Sequence, residues 1–560
     1  MNQIKALFVV GCSLLGMLAS CPIQAQDQQE PGRGEIRDTE FIIRKDRVLS
    51  LPRQSRVFEK SPSLPPVAAT TSFSYQVKDF FVPLEPVVLE TQAYQKPFPR
   101  PAYGQTPGNA KLGFGNYSSP LIHLDYHHLP DSEKTYGLHL KHQGFYTGPV
   151  DGSNSAEDHT EVGLSGSLFR DFLELYGNLD FERDMYHFYG YTPDPEISVP
   201  QDSIRQVFNT LKTRLGIKRI DRSEPFDYGA SLSLRLFNDR YAARESEALV
   251  KVRALFRASE NLKGGIDSRL AFTSPSDQNY EAINRNYFKL HPYAQYTKDG
   301  LHVEVGANVI HENDIVPNKL KEFYVFPSAF LSYHVVPQIG AYARYEGDVK
   351  RNTYYDFVME NPFLGPSDQL RNTVQNYLVD AGISGKINGE TNYEVGLRYG
   401  DYTNMHFYGN NMADSTRFQL IYDNNTRVME YHATLDYKFE QFYQLQASAQ
   451  YFQYTLDEIN SAWHRPEWEI HINNTFTPDP KWTIHANMHA LGGIQAINLA
   501  SDSQRKLSPI LDLHLSVDYA FTEKFSAFLQ GNNLLNQSYE RFNYYPVRSI
   551  QVIGGIGFKF

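Results

Sequence analysis

Cysteine is nearly missing from these 560 residues: Cys12 and Cys21 are the only two, and both fall within the first 25 positions. A disulfide framework or a thiolate metal site in the remainder of the chain is thereby excluded. Long hydrophobic runs are missing too. Beyond residue 25 no stretch reaches the roughly 18 apolar residues of a membrane-crossing helix, and mean hydropathy is −0.47. No segment carries the sustained 3.6-residue period of a string of helical domains. An excess of positive charge is also lacking, with 53 Lys and Arg against 64 Asp and Glu for a net charge of −11. Duplex nucleic acid, which needs a basic face, is therefore not an expected partner. Neither a nucleophile elbow, a zincin helix, a phosphate loop nor a paired-carboxylate pattern occurs, so no catalytic residues, no cofactor and no enzymatic activity are expected.

What is present begins with Lys5, an apolar run from Ala6 to Leu18 and then Ile23-Gln24-Ala25, the pattern of an export signal over residues 1–25. A second reading stays open: Leu18-Ala19-Ser20-Cys21 has the form of a lipobox, which would make Cys21 a lipidated N-terminus. Residues 26–110 are rich in proline, including Pro62, Pro65, Pro66, Pro97, Pro99 and Pro101, and are expected to be an extended segment without a core of its own. Within it, only Phe41-Ile42-Ile43 and Phe81-Val82-Pro83-Leu84 have the apolar character to pair with something else.

From Lys111 to Phe560 the chain alternates apolar and polar residues in segment after segment. Leu511, Leu513, Leu515, Val517, Tyr519 and Phe521 share one face, while Asp512, His514, Ser516 and Asp518 share the other. Such a two-residue period marks a sheet with different solvents on its two sides. Hairpin turns recur at fixed places: Phe288 to Tyr296 lead through Asp299-Gly300 to Leu301 to Val309, and Tyr377 to Ile387 lead through Asn388-Gly389 to Tyr393 to Tyr399. Tyr431 to Phe439 likewise face Tyr443 to Ala449, and Trp468 to Ile472 face Trp482 to Met488. A chain that must satisfy its backbone in lipid without helices has only the closed barrel available. The expected fold is all-β, a large transmembrane antiparallel barrel of about 22 strands over 111–560, preceded by the extended N-terminal segment. The 38 Tyr and 36 Phe, against 3 Trp, suit aromatic girdles at its two rims. Short turns at Arg170-Asp171, Asp299-Gly300, Asn388-Gly389, Glu440-Gln441 and Thr522-Glu523-Lys524 are assigned to the periplasmic side. Loops near 185–203, 349–372, 405–426, 492–509 and 533–547 are assigned outside. Pro292 and Pro327 interrupt strands and are expected to mark bulges.

The last strand places Ile550, Val552, Gly554, Ile556, Phe558 and Phe560 on one face and ends on an aromatic residue. Ile556, Phe558 and Phe560 resemble the sorting signal read by the outer-membrane assembly machinery of Gram-negative bacteria. Upstream, the run from Phe525 through Gly531-Asn532-Asn533-Leu534-Leu535-Asn536 to Tyr539, followed by Tyr545-Pro546-Val547-Arg548, resembles the end of TonB-dependent receptors. The specific likeness covers about the last 40 residues, and the overall character is similar to barrels of the Bacteroidota type. It implies an outer-membrane location and transport of solutes. The chain departs from the family in having about 85 proline-rich residues where a full folded plug domain belongs, and no TonB box is recognisable in them. Energised uptake through a pulled plug does not follow from the resemblance.

Two constellations face inward in this reading. Lys212, Arg214, Lys218, Arg235, Lys251, Arg253, Arg257 and Arg269 form a basic stripe over four neighbouring strands. It is either a path or docking surface for anionic solutes or a set of charges paired with Asp267 and with carboxylates of the N-terminal segment. The histidines His123, His127 and His139, and again His471, His485, His489 and His514, face inward too. Their spacing is not diagnostic of a metal site, and none is assigned. Tyr354-Tyr355 and Phe407-Tyr408-Gly409-Asn410-Asn411 in the long loops are sugar-binding candidates or loop packing. So wide a lumen needs an occluding element. The expected function is therefore an outer-membrane barrel that mediates or gates solute transport, its partners being membrane lipid and, during biogenesis, the assembly machinery. The alternative is a structural or assembly subunit, its lumen occluded and a partner protein or lipoprotein bound.

Overall fold

The computed structural model describes residues 107–128, 133–221, 225–314, 321–366 and 370–560. The export signal, Cys21, Phe41-Ile42-Ile43 and Phe81–Leu84 lie outside the described residues. A single sheet of 22 antiparallel strands closes on itself. Its first strand, Gly108–Gly115, starts slightly ahead of the expected Lys111 and pairs both with Ser119–His127 and with the last strand, Gln551–Lys559. Across that seam Leu112 stands opposite Ile556 and Gly113 opposite Gly555. The Phe528 ring lies over both glycines on the inner side. A Cβ at Gly555 or Gly113 would come within 2.5 or 2.8 Å of that ring.

Alternation decides the two faces. Leu211 and Leu215 on Arg205–Arg219, Leu232, Leu234 and Leu236 on Phe226–Asn238, and Val252 and Phe256 on Arg244–Arg257 are all exposed. Val395 and Leu397 on Thr391–Thr403 and Leu511 and Leu515 on Ile510–Ala520 continue the band around the wall. Apolar surface held against water costs roughly 25 cal/mol per Å². Hydrocarbon removes that cost, so this outer band is the lipid-facing one and the polar alternate residues line the lumen.

The short turns assigned to the periplasmic side join the strands as expected. Asp299 and Gly300 have φ of 48° and 80°, and Asn388 and Gly389 have 51° and 71°. Paired positive φ values match the right-handed twist of the flanking strands, which is why Asx-Gly occupies these turns. The proline expectation requires correction. Pro292 pairs with Ile266 and Pro327 with Ala307, both in unbroken register. Register shifts fall instead between His334 and Val336, Glu346 and Asp348, and Gln375 and Tyr377. Each proline sits where a neighbouring ladder already lapses. The pairs opposite Leu301–Glu312 skip from Leu290 to Tyr293, and the ladder of Phe323–Val336 with Ile339–Lys350 begins at Ser328. A residue without an N–H fits there without an inserted neighbour.

At the long-loop end the chain builds structure of its own. Met405–Asn410 and Phe418–Asp423 form one hairpin and Gln495–Asn498 and Ser503–Lys506 another. A parallel bridge between Asn410 and Asn498 joins them into a four-stranded sheet. Beside it lies the helix Tyr354–Glu360, closed by a capping box between Thr353 and Asp356.

Candidate functional site

The long loops leave the ring at well-separated points yet meet in one aromatic core. Phe363 stacks on Tyr545 with ring centroids 3.5 Å apart, Tyr189 meets the same Tyr545 edge-on at 4.9 Å, and Phe418 meets Phe542 at 5.6 Å. Wall residues Phe208 and Phe237 point inward into the same cluster. Loops from different sides of a ring touch only by crossing its mouth, so these residues form a lid over the lumen. Tyr354, Phe407, Tyr408 and Asn410 are all buried within it. That favours the loop-packing reading over sugar binding for these four residues, while Tyr355 and Asn411 stay half-buried.

Buried ion pairs tie the lid to the wall. Arg285 Nε lies 2.5 Å from Asp314 Oδ1, while its other nitrogens donate to Asn352 O at 2.7 Å and to Asn372 Oδ1 at 3.1 Å. The lid helix is held from below, where Glu245 Oε2 accepts the Tyr354 N–H at 2.8 Å and Arg235 donates to Thr353 Oγ1 at 3.1 Å. Glu247 is paired with both Arg235 and Arg351. At the far end of the helix Glu360 receives His406 Nε2 at 2.9 Å and Arg465 Nη1 at 2.9 Å. Burial alone would raise the Glu360 carboxyl, but the His406 hydrogen bond and the Arg465 guanidinium hold it down at about 2. His464 is fully enclosed. Its Nδ1–H donates to Tyr408 O at 2.8 Å and its Nε2 accepts the Asn543 N–H at 3.3 Å, an arrangement only neutral imidazole satisfies. Burial accordingly depresses its pKa to about 3.

Below the lid, the eight basic residues singled out in the sequence all alternate with the exposed apolar band and therefore project into the lumen. Register brings Lys212 opposite Arg235, Arg235 opposite Glu247 and Lys251 opposite Arg269. Five of the eight meet carboxylates: Lys212 with Glu182 at 2.6 Å, Lys218 with Glu174 at 2.8 Å, Arg235 with Glu245 at 2.9 Å, Arg253 with Asp267 at 3.7 Å and Arg257 with Asp227 at 3.9 Å. Among the described residues Arg214 donates only to Ser233 Oγ, at 3.1 Å. Lys251 and Arg269 have no acidic partner among the described residues.

Other lumenal clusters left no local sequence signal. On the wall containing Thr391–Thr403, Arg398 bridges Asp380 at 3.1 Å and Glu430 at 2.8 Å, and the Tyr342 hydroxyl donates to Glu394 at 3.1 Å. The inward histidines do not converge. His123 pairs with Asp125 at 2.9 Å and His139 with Glu161 at 3.1 Å, while His471 and His489 stack with centroids 4.3 Å apart. His485 contacts Thr475 and His514 contacts Asn532. Among the described residues no group of three or more His, Cys, Asp and Glu side chains is placed to hold a metal.

No family model matches this sequence, and no curated protein does. Solved structures do match the fold. The siderophore receptor PirA from Acinetobacter baumannii superposes with a TM-score of 0.62 at 8% identity over 81% of this chain and 80% of that one. The ferric-catecholate import receptor Fiu from Escherichia coli K12 gives 0.59 at 10% identity, over 81% and 82% of the two chains. The ferripyoverdine receptor of the Pseudomonas aeruginosa outer membrane gives 0.61 at 12% identity, over 81% and 71%. At these identities the likeness is one of fold: this chain has the barrel architecture of those receptors.

Proposed function

We propose that this chain is a TonB-dependent receptor-like barrel of the cell outer membrane that mediates or gates the passage of solutes. One observation carries the reading: a lumen lined by polar side chains within a lipid-facing wall is crossed at one end by loops that share an aromatic core and buried ionic anchors. A wall of this kind separates two aqueous compartments, and a lid held by a few separable anchors can admit a solute when they release. The lid faces the outside, since the short turns lie at the other end. The barrel is of the Bacteroidota type, residues 1–25 are an export signal, and residues 26–107, ahead of the first wall strand, take the place of a full plug. Ile556, Phe558 and Phe560, all exposed on the outer face of the last strand, serve as the sorting signal for the assembly machinery.

Conductance across planar bilayers tests the gate. The native chain is expected to stay closed, and Arg285→Met, which removes the ion pair to Asp314 and the donors to Asn352 and Asn372, is expected to conduct. If that variant remains closed although protease reaches its loops, and a stoichiometric partner protein co-purifies, the barrel is an assembly subunit instead. Deleting residues 27–105 tests the N-terminal segment: cells should become sensitive to large antibiotics, and unaltered permeability removes its occluding role.

A further inference from the structure

Three cations of the lumenal stripe differ from the other five. Arg214, Lys251 and Arg269 are exposed to the lumen and lack a carboxylate among the described residues, whereas their neighbours toward the lid, Lys212 and Arg235, are paired with Glu182 and Glu245. The three lie close together. Lys251 is directly opposite Arg269 on one side and opposite Ser231 on the other, and Arg214 is opposite Ser233. Like charges directly across a ladder destabilise it. The serines on the intervening strand are too short to shield the cations from one another, and they add hydroxyl donors between them. Among the described residues a negatively charged counterpart to the three is thus missing. Residues 26–106 carry eleven Lys and Arg and ten Asp and Glu, a segment without net negative charge of its own.

We infer that Arg214, Lys251 and Arg269, with the Ser231 and Ser233 hydroxyls, form a binding site for a polyanionic solute carrying at least two carboxylate or phosphate groups. The spacing sets the class. Neighbouring strands lie about 4.8 Å apart, so Arg214 and Arg269 stand at least about 14 Å apart at the backbone with Lys251 between them, and three cations spread over that span suit a solute with more than one anionic group. Arginine offers paired donors to a carboxylate or phosphate, and lysine a mobile point charge. The site lies beneath the lid helix, whose Tyr355 ring covers Arg235 and Lys212 with centroid distances of 4.3 and 5.0 Å. A solute held there would already have passed the lid. The inference deepens the transport reading by naming the solute class.

Calorimetric titration of the full chain in detergent with pyrophosphate, tricarballylate, inorganic phosphate and sucrose tests it, because in detergent both ends of the barrel meet the same solution. Both polyanions are expected to bind in preference to inorganic phosphate, with no heat from sucrose. Arg214→Gln, Lys251→Gln and Arg269→Gln should each weaken the polyanions about tenfold, the loss of one charge-assisted contact. Arg344→Gln, which removes a lumenal cation lying 5.1 Å from the Phe330 ring, should leave binding unchanged. Heat-modified gel mobility reports whether each variant barrel is folded. An equal loss in Arg344→Gln, phosphate binding as strong as pyrophosphate binding, or a folded native chain that binds neither polyanion overturns the site. Such a result leaves the conductance test of the gate intact, and a failed conductance test leaves the titration intact.

Discussion

The barrel wall and the lid are built on opposite plans. In the wall every strand pairs with its neighbours in the ring, and one simple rule, apolar outward and polar inward, repeats over nearly the whole circumference. In the lid no such rule holds, and cohesion comes from contacts between residues far apart in sequence, such as Tyr545 with Phe363 and Asn543 with Asn410. A wall of repeated small contributions tolerates the loss of many single residues. A lid resting on a few buried polar anchors does not. The two parts therefore have separable stabilities, as a gate on a rigid frame requires.

The sharpest way to break that contrast is at an anchor. Arg285→Met removes the guanidinium that Asp314, Asn352 and Asn372 share, and removing one partner of a buried ion pair costs about 3–5 kcal/mol. Limited proteolysis should cut the loops of this variant quickly while its heat-modified gel mobility stays native, and simultaneous loss of both would mean that lid and wall are one unit. A charge on the lipid face attacks the frame instead. Leu234→Arg should destabilise the barrel by about 2–4 kcal/mol in urea-induced unfolding from lipid vesicles, and a neutral result would show that this band does not meet hydrocarbon. The smallest effect concerns pH. His464 is neutral in the folded lid with a pKa of about 3, below the 6.5 of an unrestrained imidazole. Its contribution is fully present above that ordinary value and declines as pH falls below it, while Glu360, held at about 2, adds a loss that starts lower. Near pH 5.5 the lid should be weaker by about 1 kcal/mol, read as faster loop cleavage, and His464→Gln should flatten the profile between about pH 7 and 5.

The same contrast decides what was legible in the sequence. The hairpin through Asp299-Gly300 was readable because each side of the wall meets one solvent, and so was the outward set ending at Phe560. Met405–Asn410 and Phe418–Asp423 were read as loop because protein covers both of their faces, and Phe407, Tyr408, Gly409 and Asn410 are buried in succession. Alternation disappears when both sides of a strand are dry. The eight basic residues could be assigned to one face from spacing alone. Which of them are neutralised could not, because Glu182, Glu174 and Glu245 reach them only through the register of neighbouring strands. Arg285, Asp314 and His464 gave no signal, since their partners lie on other loops.

The seam has a consequence for how the molecule comes into being. The Val552 N–H donates to Asn116 Oδ1 across a separation of 436 residues, so the first strand cannot find its mate until nearly the whole polypeptide has been synthesised. Until then two ladder edges stand open, each able to pair with a foreign chain. Export must keep this polypeptide apart from its neighbours up to the moment the last nine-residue strand zips shut, and losing that strand would leave a sheet with two open, aggregation-prone edges.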